Sequence, residues 1–285
     1  MQNVMTNIIN QHKALEPREN EYWQGDLIYC SKCNTQSSCF VKHPTTKEQI
    51  LVRCLCECAS QQRDEEERKQ RELERMKEVE KLKSASLIGD RYKNIYFNQT
   101  EIGFNATFDH AFNRCKKYCE VADKVLVEGM GIYLYGDTGI GKTHITACMV
   151  NELVNKRYQV LFTNFFEISK IIRSTFGKSN VSENEYIDRL ANIDFLFIDD
   201  LGTERVQAGE SDLWLQEKIF DVLNKRYNNK KPTIFSSNHS LTELINDRGF
   251  MKKTVDRIAE MSTAILKLEG ESYRLKNRTK KEIPF

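Results

Sequence analysis

The sequence predicts an α/β protein in which a central parallel sheet is flanked by helices, preceded by a small cysteine-rich domain and a charged helical linker. From about residue 86 onward, short apolar runs alternate with amphipathic segments, which is typical of a parallel sheet covered on both faces. Six of the nine cysteines lie between Cys30 and Cys58. Residues 61–83 mix eight acidic and eight basic side chains without Gly or Pro. We therefore expect three parts, at residues 1–60, 61–85 and 86–285.

The composition of the 285-residue chain excludes several classes of protein. Its 43 Lys and Arg residues nearly balance its 41 Asp and Glu residues, so bulk charge does not hold it to nucleic acid, which leaves only a local basic patch for that purpose. No apolar run approaches the roughly 20 residues that a membrane-spanning helix needs. The first ten residues have neither the basic lead nor the apolar stretch of a secretion signal. We expect a cytoplasmic protein that does not associate with membranes.

The charged segment at residues 61–83 is predicted to be a helix. Mixed Glu, Lys and Arg residues support a solvated helix through ion pairs between residues four positions apart. Its apolar residues recur every three positions as a thin stripe: Leu73, Met76, Val79 and Leu82. This pattern favours a helical spacer over a dimerising coiled coil, which requires a heptad sustained over several repeats.

Five short apolar runs in the C-terminal part are predicted to be buried strands, with five amphipathic helices between them. The predicted strands are residues 132–135, 159–163, 193–198, 233–237 and 264–268, and the predicted helices are residues 143–156, 165–176, 183–191, 213–228 and 253–261. In open sheets of this kind, ligands bind at the carboxyl ends of the strands.

A phosphate-binding motif follows the first of these strands. The segment from Gly136 to Thr143 fits the pattern G-x-x-x-x-G-K-[ST] and lies between a predicted strand and a predicted helix. Its glycines allow backbone N–H groups to close around phosphates, and the helix N-terminus adds its positive dipole end. We expect Lys142 to reach the β- and γ-phosphates of ATP and the Thr143 hydroxyl to ligate Mg²⁺. The candidate nucleotide-binding residues are Gly136, Asp137, Thr138, Gly139, Ile140, Gly141, Lys142, Thr143 and His144.

Two carboxylates end the apolar run that begins at Phe195. We expect Asp199 to hold Mg²⁺, directly or through water, and Asp200 to orient the attacking water. The alternative for this pair is an ordinary cap at the end of a strand. Many related ATPases carry Glu at the second position. Because Asp is one methylene shorter, hydrolysis is expected to be slow, as suits a switch.

A third predicted strand leads to Asn238. If this strand neighbours the one that ends at Asp199, the Asn238 amide lies beside the γ-phosphate and is a candidate sensor of that phosphate. The competing interpretation is the start of a helix, since Ser240 and Glu243 fit a capping box. Both hold together, because capping requires Ser240 rather than Asn238.

Two arginines flank the last predicted strand. A guanidinium offered to a γ-phosphate, within one chain or from a neighbouring subunit, stabilises the charge of the transition state. Arg257 and Arg274 are the candidates. By spacing alone, Arg257 is equally well explained as a surface partner of Glu260.

The cysteine cluster predicts a structural zinc site. Cys30 and Cys33 form a C-x-x-C turn, and a second group, Cys54, Cys56 and Cys58, offers more ligands than a tetrahedral site can use. Cys39 and His43 add to this surplus. We expect four of the five clustered cysteines to bind Zn²⁺, with Cys54 and Cys56 favoured from the second group. A domain of ~60 residues that is poor in apolar residues needs such a metal to fold.

A cationic strip with one aromatic residue lies in the helix predicted at 165–176 and just beyond it. Lys170, Arg173 and Lys178 flank Phe176, a combination that suits single-stranded nucleic acid. On pattern alone, an ordinary amphipathic helix with Phe176 on its core face is the commoner explanation.

These motifs together resemble the bacterial or phage replicative helicase loaders of the DnaC/DnaI type, which are AAA+ ATPases. The resemblance covers about residues 86–276, and the cysteine-rich region loosely resembles the zinc-containing domain of the DnaI kind. The stretches that carry it are Gly139–His144, Phe197–Gly202, Ser237–Asn238, Val255–Ile258 and Gly270–Arg274, together with a helical segment at 165–193 that resembles an insertion specific to loaders.

The resemblance implies several roles. Asn238 corresponds to sensor 1, Arg257 to the arginine finger, and Arg274 to the sensor 2 arginine. Phe176 falls where the family has an aromatic residue that stacks on a base. It further implies self-association into a ring or helical oligomer, binding of single-stranded DNA, and delivery of a hexameric replicative DNA helicase onto it, with the N-terminal domain contacting the helicase.

Other functions are weighed against this one. A transposition-helper ATPase of the IstB kind has a very similar nucleotide core, but the cysteine-rich region argues against it. A non-hydrolysing adaptor that uses nucleotide only as a switch stays open as an alternative because of the short side chain of Asp200. A zinc-finger reader of duplex DNA is disfavoured, because no recognition helix follows the cysteines.

Overall fold

The structure, a computed structural model, describes residues 15–174, 183–203 and 210–273. It divides into one unit that ends at Met76 and a second that begins at Lys77. The boundary falls inside a long helix, whereas the sequence analysis placed a separate linker at residues 61–85. Among the helices that the structure describes, none combines the length and the apolar character needed to cross a membrane.

The N-terminal unit consists of two short antiparallel hairpins followed by the start of the long helix. Strands β1 (Glu21–Gln24) and β2 (Leu27–Cys30) form the first hairpin, and β3 (Ser38–Lys42) and β4 (Gln49–Arg53) form the second. The sequence analysis assigned no strands here. Each strand has only four or five residues, too short to show a clear alternation of apolar and polar side chains.

Helix α1 (Glu57–Ala85) contains the helix predicted at residues 61–83. None of its residues is fully buried, and ion pairs four residues apart, such as Lys69–Glu65 at 2.8 Å, follow its surface. Its last turns are more than a spacer, because Val79 and Leu82 pack against the core of the C-terminal unit.

The C-terminal unit is built on a five-stranded parallel sheet with the strand order β6-β7-β8-β5-β9. This confirms the predicted α/β fold with a central parallel sheet. The strands are β5 (Gly131–Gly136), β6 (Val160–Asn164), β7 (Phe195–Leu201), β8 (Thr233–Ser237) and β9 (Ser262–Leu268). The helices are α2 (Ala106–Glu120), α3 (Ala122–Glu128), α4 (Lys142–Asn155), α5 (Phe165–Ser174), α6 (Glu183–Asn192), α7 (Glu210–Asn228), α8 (Leu241–Asn246) and α9 (Lys252–Met261).

Two apolar cores cover the two faces of the sheet. Along β5, Ile132 and Leu134 belong to one core and Tyr133 to the other, as the alternation of side chains along a strand requires. The predicted helices lie in these layers. Helix α2 was not predicted, although its buried face, from Phe108 to Cys119, has helical spacing and Asn105 caps its N-terminus through the N–H groups of two residues.

A fully buried arginine on α7 fastens three elements together. The Arg226 side chain has no exposed surface, and its guanidinium donates to Thr233 Oγ1 at 2.9 Å. Burial lowers its pKa to about 9. The other acceptors are backbone carbonyls at the end of α6 and the starts of β7 and β8: those of Leu190, Ala191, Ile193, Asp194 and Pro232.

Replacing Arg226 with Met should lower the free energy of unfolding by about 3 kcal/mol or more, since several buried carbonyls lose their donor at once. Urea denaturation of the whole chain measures this. The matched control is Lys225→Met, which removes an exposed ion pair with Asp188 and should cost less than about 1 kcal/mol. Equal losses in the two variants would contradict the role of Arg226.

Candidate functional site: a nucleotide cavity and a cysteine cluster

The predicted phosphate loop runs from the end of β5 to the start of α4. Gly141 precedes the first residue of α4 with φ +104°, in the left-handed region that favours glycine. A Cβ atom there would lie 2.6 Å from Phe108 Cε2, so any larger residue would collide with α2. The loop therefore keeps its N–H groups at a helix N-terminus, the arrangement that binds phosphates.

Lys142 is the buried centre of this loop. Its side chain is 5% exposed, and its Nζ donates to the carbonyls of Gly136 and Asp137, both at 2.8 Å, and to Asn238 Oδ1 at 2.7 Å. The structure thus brings together the phosphate loop after β5 and the polar end of β8, which the sequence analysis expected only if β8 neighbours β7. The strand order shows that it does.

Asp199 lies buried at the end of β7, beside the phosphate loop. Its Oδ2 accepts a hydrogen bond from Thr143 Oγ1 at 3.1 Å, and its Oδ1 accepts one from Ser236 Oγ. Burial raises the pKa of Asp199 to about 6, and the neighbouring Asp200 adds to the rise, while the hydrogen bonds from Ser236 and Thr143 and the charge of Lys142 oppose it. The two predicted Mg²⁺ ligands are therefore in direct contact.

Ser236 is a site residue that the sequence analysis missed. Besides its bond to Asp199, its Oγ accepts a hydrogen bond from the backbone N–H of Asp200 at 3.1 Å. The available signal was the pair of serines, Ser236 and Ser237, that ends the strand directly before Asn238.

Asp200 is exposed and points away from this buried contact. Between Ile198 and Leu201 the pairing of β7 with β8 shifts by one residue, as in a β-bulge, and Asp200 has φ +52°. The bulge explains why two successive carboxylates lie in different environments. Asp199 is buried beside Thr143, and Asp200 lies at the wall of a cavity.

That cavity has a volume of about 740 Å³ and contains the phosphate loop at its edge. Residues from Thr138 to His144 line it together with Asp200 and Asn238. The sequence analysis missed the remaining walls, which come from the segment before α2, from α2 itself, from the turn after β7 and from the end of the described chain: Arg91, Tyr92, Ile95, Gln99, Thr100, Glu101, Phe104, Phe108, Thr203 and Tyr273.

Two contacts attach these walls to the phosphate loop. His144 Nε2 lies 2.8 Å from Thr100 Oγ1, and burial lowers the pKa of His144. On the other side, the N–H of Tyr273 donates to the carbonyl of Gly139 at 3.0 Å, and the Tyr273 ring lies 5.4 Å from that of Phe104. The cavity therefore has an aromatic wall fixed directly to the loop.

Arg257 lies elsewhere on this chain. Its Nη1 pairs with Glu260 Oε2 at 2.7 Å, and its guanidinium lies over the Tyr227 ring at 4.1 Å. Among the described residues that line the cavity, Arg257 is absent. The surface pairing weighed in the sequence analysis is thus present.

The residues predicted to contact DNA, and Arg274, lie partly outside the described residues. Lys170 is exposed on α5, 4.0 Å from Glu167. Arg173 is part of α5, but its side chain lies outside the described residues. Phe176, Lys178 and Arg274 also lie outside them.

Four cysteine sulfurs of the N-terminal unit lie within 4.8 Å of one another, in the residues Cys30, Cys33, Cys56 and Cys58. This corrects the preference for Cys54. Cys54 stays in line with β4, where its N–H donates to the carbonyl of Ser37 at 3.0 Å and its thiol contacts Cys39. Cys58 takes its place because α1 begins at Glu57 and turns its thiol toward the first pair.

The geometry of this cluster fits a tetrahedral metal site. The sulfur–sulfur distances are 3.6 Å for Cys30–Cys58 and 3.4 Å for Cys56–Cys58, and zinc–sulfur bonds of about 2.3 Å give tetrahedral edges of about 3.8 Å. The Thr35 hydroxyl and backbone N–H groups lower the pKa of Cys33 to about 6. The crowded thiols, Cys56 first, raise the pKa of Cys58 to about 12, and a cation bound among the four sulfurs would offset the repulsion between their thiolates.

Comparison with known proteins supports the nucleotide site. The model of the family described as "IstB-like ATP binding protein" matches residues 60–281. The chain is 27% identical to the replicative helicase loader DnaI of Bacillus subtilis over 218 residues, covering 72% of this chain and 66% of that protein. It is 26% identical to the replicative helicase loader DnaC of Escherichia coli K12 over 165 residues, covering 58% and 63%.

The fold comparison agrees. A crystal structure of the DnaC helicase loader matches with a TM-score of 0.52 at 21% identity, covering 64% of this chain and all of that one. The chain thus spans just under two thirds of the length of the two curated relatives, and it shares the AAA+ fold of the solved loader. The resemblance to loaders of the DnaC/DnaI type is confirmed, and the chain belongs to the IstB-like ATP-binding protein family.

Proposed function

We propose that this chain is an ATP-dependent helicase loader, which binds a hexameric replicative DNA helicase and delivers it onto single-stranded DNA when replication starts. ATP binding favours the assembled state, and slow hydrolysis releases the helicase. The observation that carries the proposal is the convergence of Lys142, Thr143, Asp199 and Asn238 at one edge of the sheet. The two relatives named as helicase loaders supply its biological context.

The site residues have distinct roles in this proposal. Lys142, already held beside Asn238, neutralises the terminal phosphates, and the loop N–H groups bind the remaining phosphate oxygens. Thr143 and Asp199 offer hydroxyl and carboxylate oxygens 3.1 Å apart, the hard ligands that Mg²⁺ prefers. Bound there, Mg²⁺ would neutralise phosphate charge. Asp200 orients the attacking water, and Asn238 senses the γ-phosphate.

The aromatic part of the cavity suits the adenine base. Phe104 and Tyr273 line it, half exposed, and their rings lie 5.4 Å apart. The Tyr273 N–H donates to the carbonyl of Gly139, so a base that packs against the Tyr273 ring would contact a residue hydrogen-bonded to the phosphate loop. The next residue is Arg274, the proposed sensor 2 arginine.

The position of Arg257 supports a proposal of self-association. Since Arg257 does not line the cavity of its own chain among the described residues, we propose that it completes the site of a neighbouring subunit in a ring or helical oligomer. In the same proposal, single-stranded DNA is contacted by Lys170, Arg173, Phe176 and Lys178. The N-terminal unit, with zinc bound, binds the helicase, and the protein acts in the cytoplasm.

Two alternative functions are a transposition helper and a nucleotide-gated adaptor. A transposition helper of the IstB kind shares the nucleotide core and the family, but the four-cysteine cluster favours the loader. A nucleotide-gated adaptor with little hydrolysis is favoured by the short Asp200 side chain. ATPase assays with and without single-stranded DNA separate this adaptor from the loader.

The experiment that tests the proposal is size-exclusion chromatography of the full chain with hexameric replicative helicases, with and without Mg-ATP. We expect a joint peak with a cognate helicase that persists in ATP and dissociates as ATP is hydrolysed. Each helicase run alone is the control. Failure of every candidate helicase to co-elute, with a positive interaction with a transposase, would overturn the loader in favour of the transposition helper.

Replacing Lys142 with Ala should abolish ATP binding, because the phosphates lose the buried ammonium group that faces them. Calorimetric titration with Mg-ATP measures this. Lys124→Ala is the control, since Lys124 is exposed and forms an ion pair with Glu128 at 3.9 Å, away from the residues that line the cavity. Thermal unfolding of both variants checks that the fold survives the loss of the three Lys142 hydrogen bonds. ATP affinity at the wild-type level in Lys142→Ala would refute the site.

The zinc proposal is tested by the metal content of two Cys variants. Wild-type chain purified without chelator should carry stoichiometric zinc, measured by mass spectrometry. Cys58→Ser should lose most of it, because one of the four ligands disappears, while Cys54→Ser should keep it. Zinc loss in Cys54→Ser with full retention in Cys58→Ser would restore the ligand set first expected.

A further inference from the structure

Arg248 connects the segment after β8 to the turn that follows Asp200. It lies just beyond α8, partly buried, and its Nε donates to the carbonyl of Gly202 at 2.6 Å while its Nη2 donates to that of Thr203. Nε and Nη2 form one edge of the guanidinium plane, so a single rigid group holds two successive carbonyls. A lysine ammonium cannot reproduce this paired contact.

The turn that Arg248 holds is the one that presents Asp200 to the nucleotide cavity. The Thr203 N–H and hydroxyl both donate to the carbonyl of Asp200, at 3.2 and 2.8 Å. Asp200 and Thr203 both line the cavity. Asp200 has a positive φ, a conformation that residues other than glycine keep only where neighbouring contacts impose it.

The turn is also packed closely against α8. Gly202 has φ +81°, and a Cβ atom there would lie 2.4 Å from Leu244 Cδ2 of α8. On the far side of Arg248, buried Gln216 fixes the chain by donating to the carbonyl of Gly249 and accepting from the N–H of Met251. Arg248 is therefore held in place at the end of α8, between α7 and the turn.

Among the described residues, the guanidinium of Arg248 donates to two backbone carbonyls and forms no ion pair with a carboxylate. Its contacts serve the shape of the turn.

We propose that Arg248 is a positioning residue for ATP hydrolysis, which holds the turn after β7 so that the Asp200 carboxylate faces the attacking water. The inference rests on the proposed function, since it assigns Asp200 to that water. It adds a link from the segment that follows Asn238 to the carboxylate that activates water. Arg248 itself touches neither nucleotide nor water in this scheme.

The test compares Arg248→Lys and Arg248→Met with wild-type chain in steady-state ATPase assays and in calorimetric titration with Mg-ATP. We expect kcat to fall about tenfold or more in both variants, because a small displacement of a catalytic group has a large effect on rate. The Kd for ATP should stay within about twofold. The matched control is Arg189→Lys, which removes a guanidinium contact with the carbonyl of Ala85 at 3.3 Å, away from the cavity.

Wild-type kcat in Arg248→Lys, an equal fall in the control, or a parallel loss of ATP affinity would each overturn the proposal. A second readout is hydrogen–deuterium exchange of the peptide that contains Thr203, whose uptake should rise in Arg248→Lys. If wild-type chain binds ATP but does not hydrolyse it, the proposed function loses its hydrolytic step. The exchange measurement then decides the role of Arg248, and unchanged uptake overturns it.

Discussion

The contact between Lys142 and Asn238 is the interaction on which the rest of the site depends. A buried ammonium group needs partners, and Lys142 finds three oxygens, one of them from a different strand. Because β8 lies between β5 and β7, the Asn238 amide, the phosphate loop and the Asp199 carboxylate meet at one edge. The predicted phosphate loop is thereby joined to the strands that lead to Asp199 and Asn238.

The order of strands also explains why the Asp199 carboxylate is buried and that of Asp200 is exposed. Ser236, on β8, binds the Asp199 carboxylate with its hydroxyl and accepts the N–H of Asp200 with the same oxygen. This one side chain fixes the point at which the bulge begins. Burial that raises the pKa of Asp199 is tolerated because the same hydrogen bonds stabilise its charged form. A cation between Asp199 and Thr143 would complete that compensation.

The nucleotide motifs, and with them the meeting of Thr143 and Asp199, were predictable from sequence, whereas the long-range contacts outside those motifs were not. The strand around Ile132, the loop at Gly136–Thr143 and the acidic end of β7 each have a pattern within ten residues, and each lies where it was expected. Arg226 and Arg248 bind carbonyls distant in sequence, such as that of Leu190, and no local pattern indicates them. The aromatic wall of the cavity likewise combines segments at opposite ends of the C-terminal unit.

The cysteine-rich unit shows the same division for a different physical reason. The C-x-x-C turn at Cys30 fixes two ligands locally, but the choice among Cys54, Cys56 and Cys58 depends on where β4 ends and α1 begins. Among the described residues of this unit, Ile28 is the only buried aliphatic side chain, and the other buried apolar groups are the sulfurs of Cys30 and Cys56. One aliphatic side chain cannot offset the entropy of ordering four strands. A metal ion bound by the four cysteines would therefore supply stability that the apolar core of this unit does not.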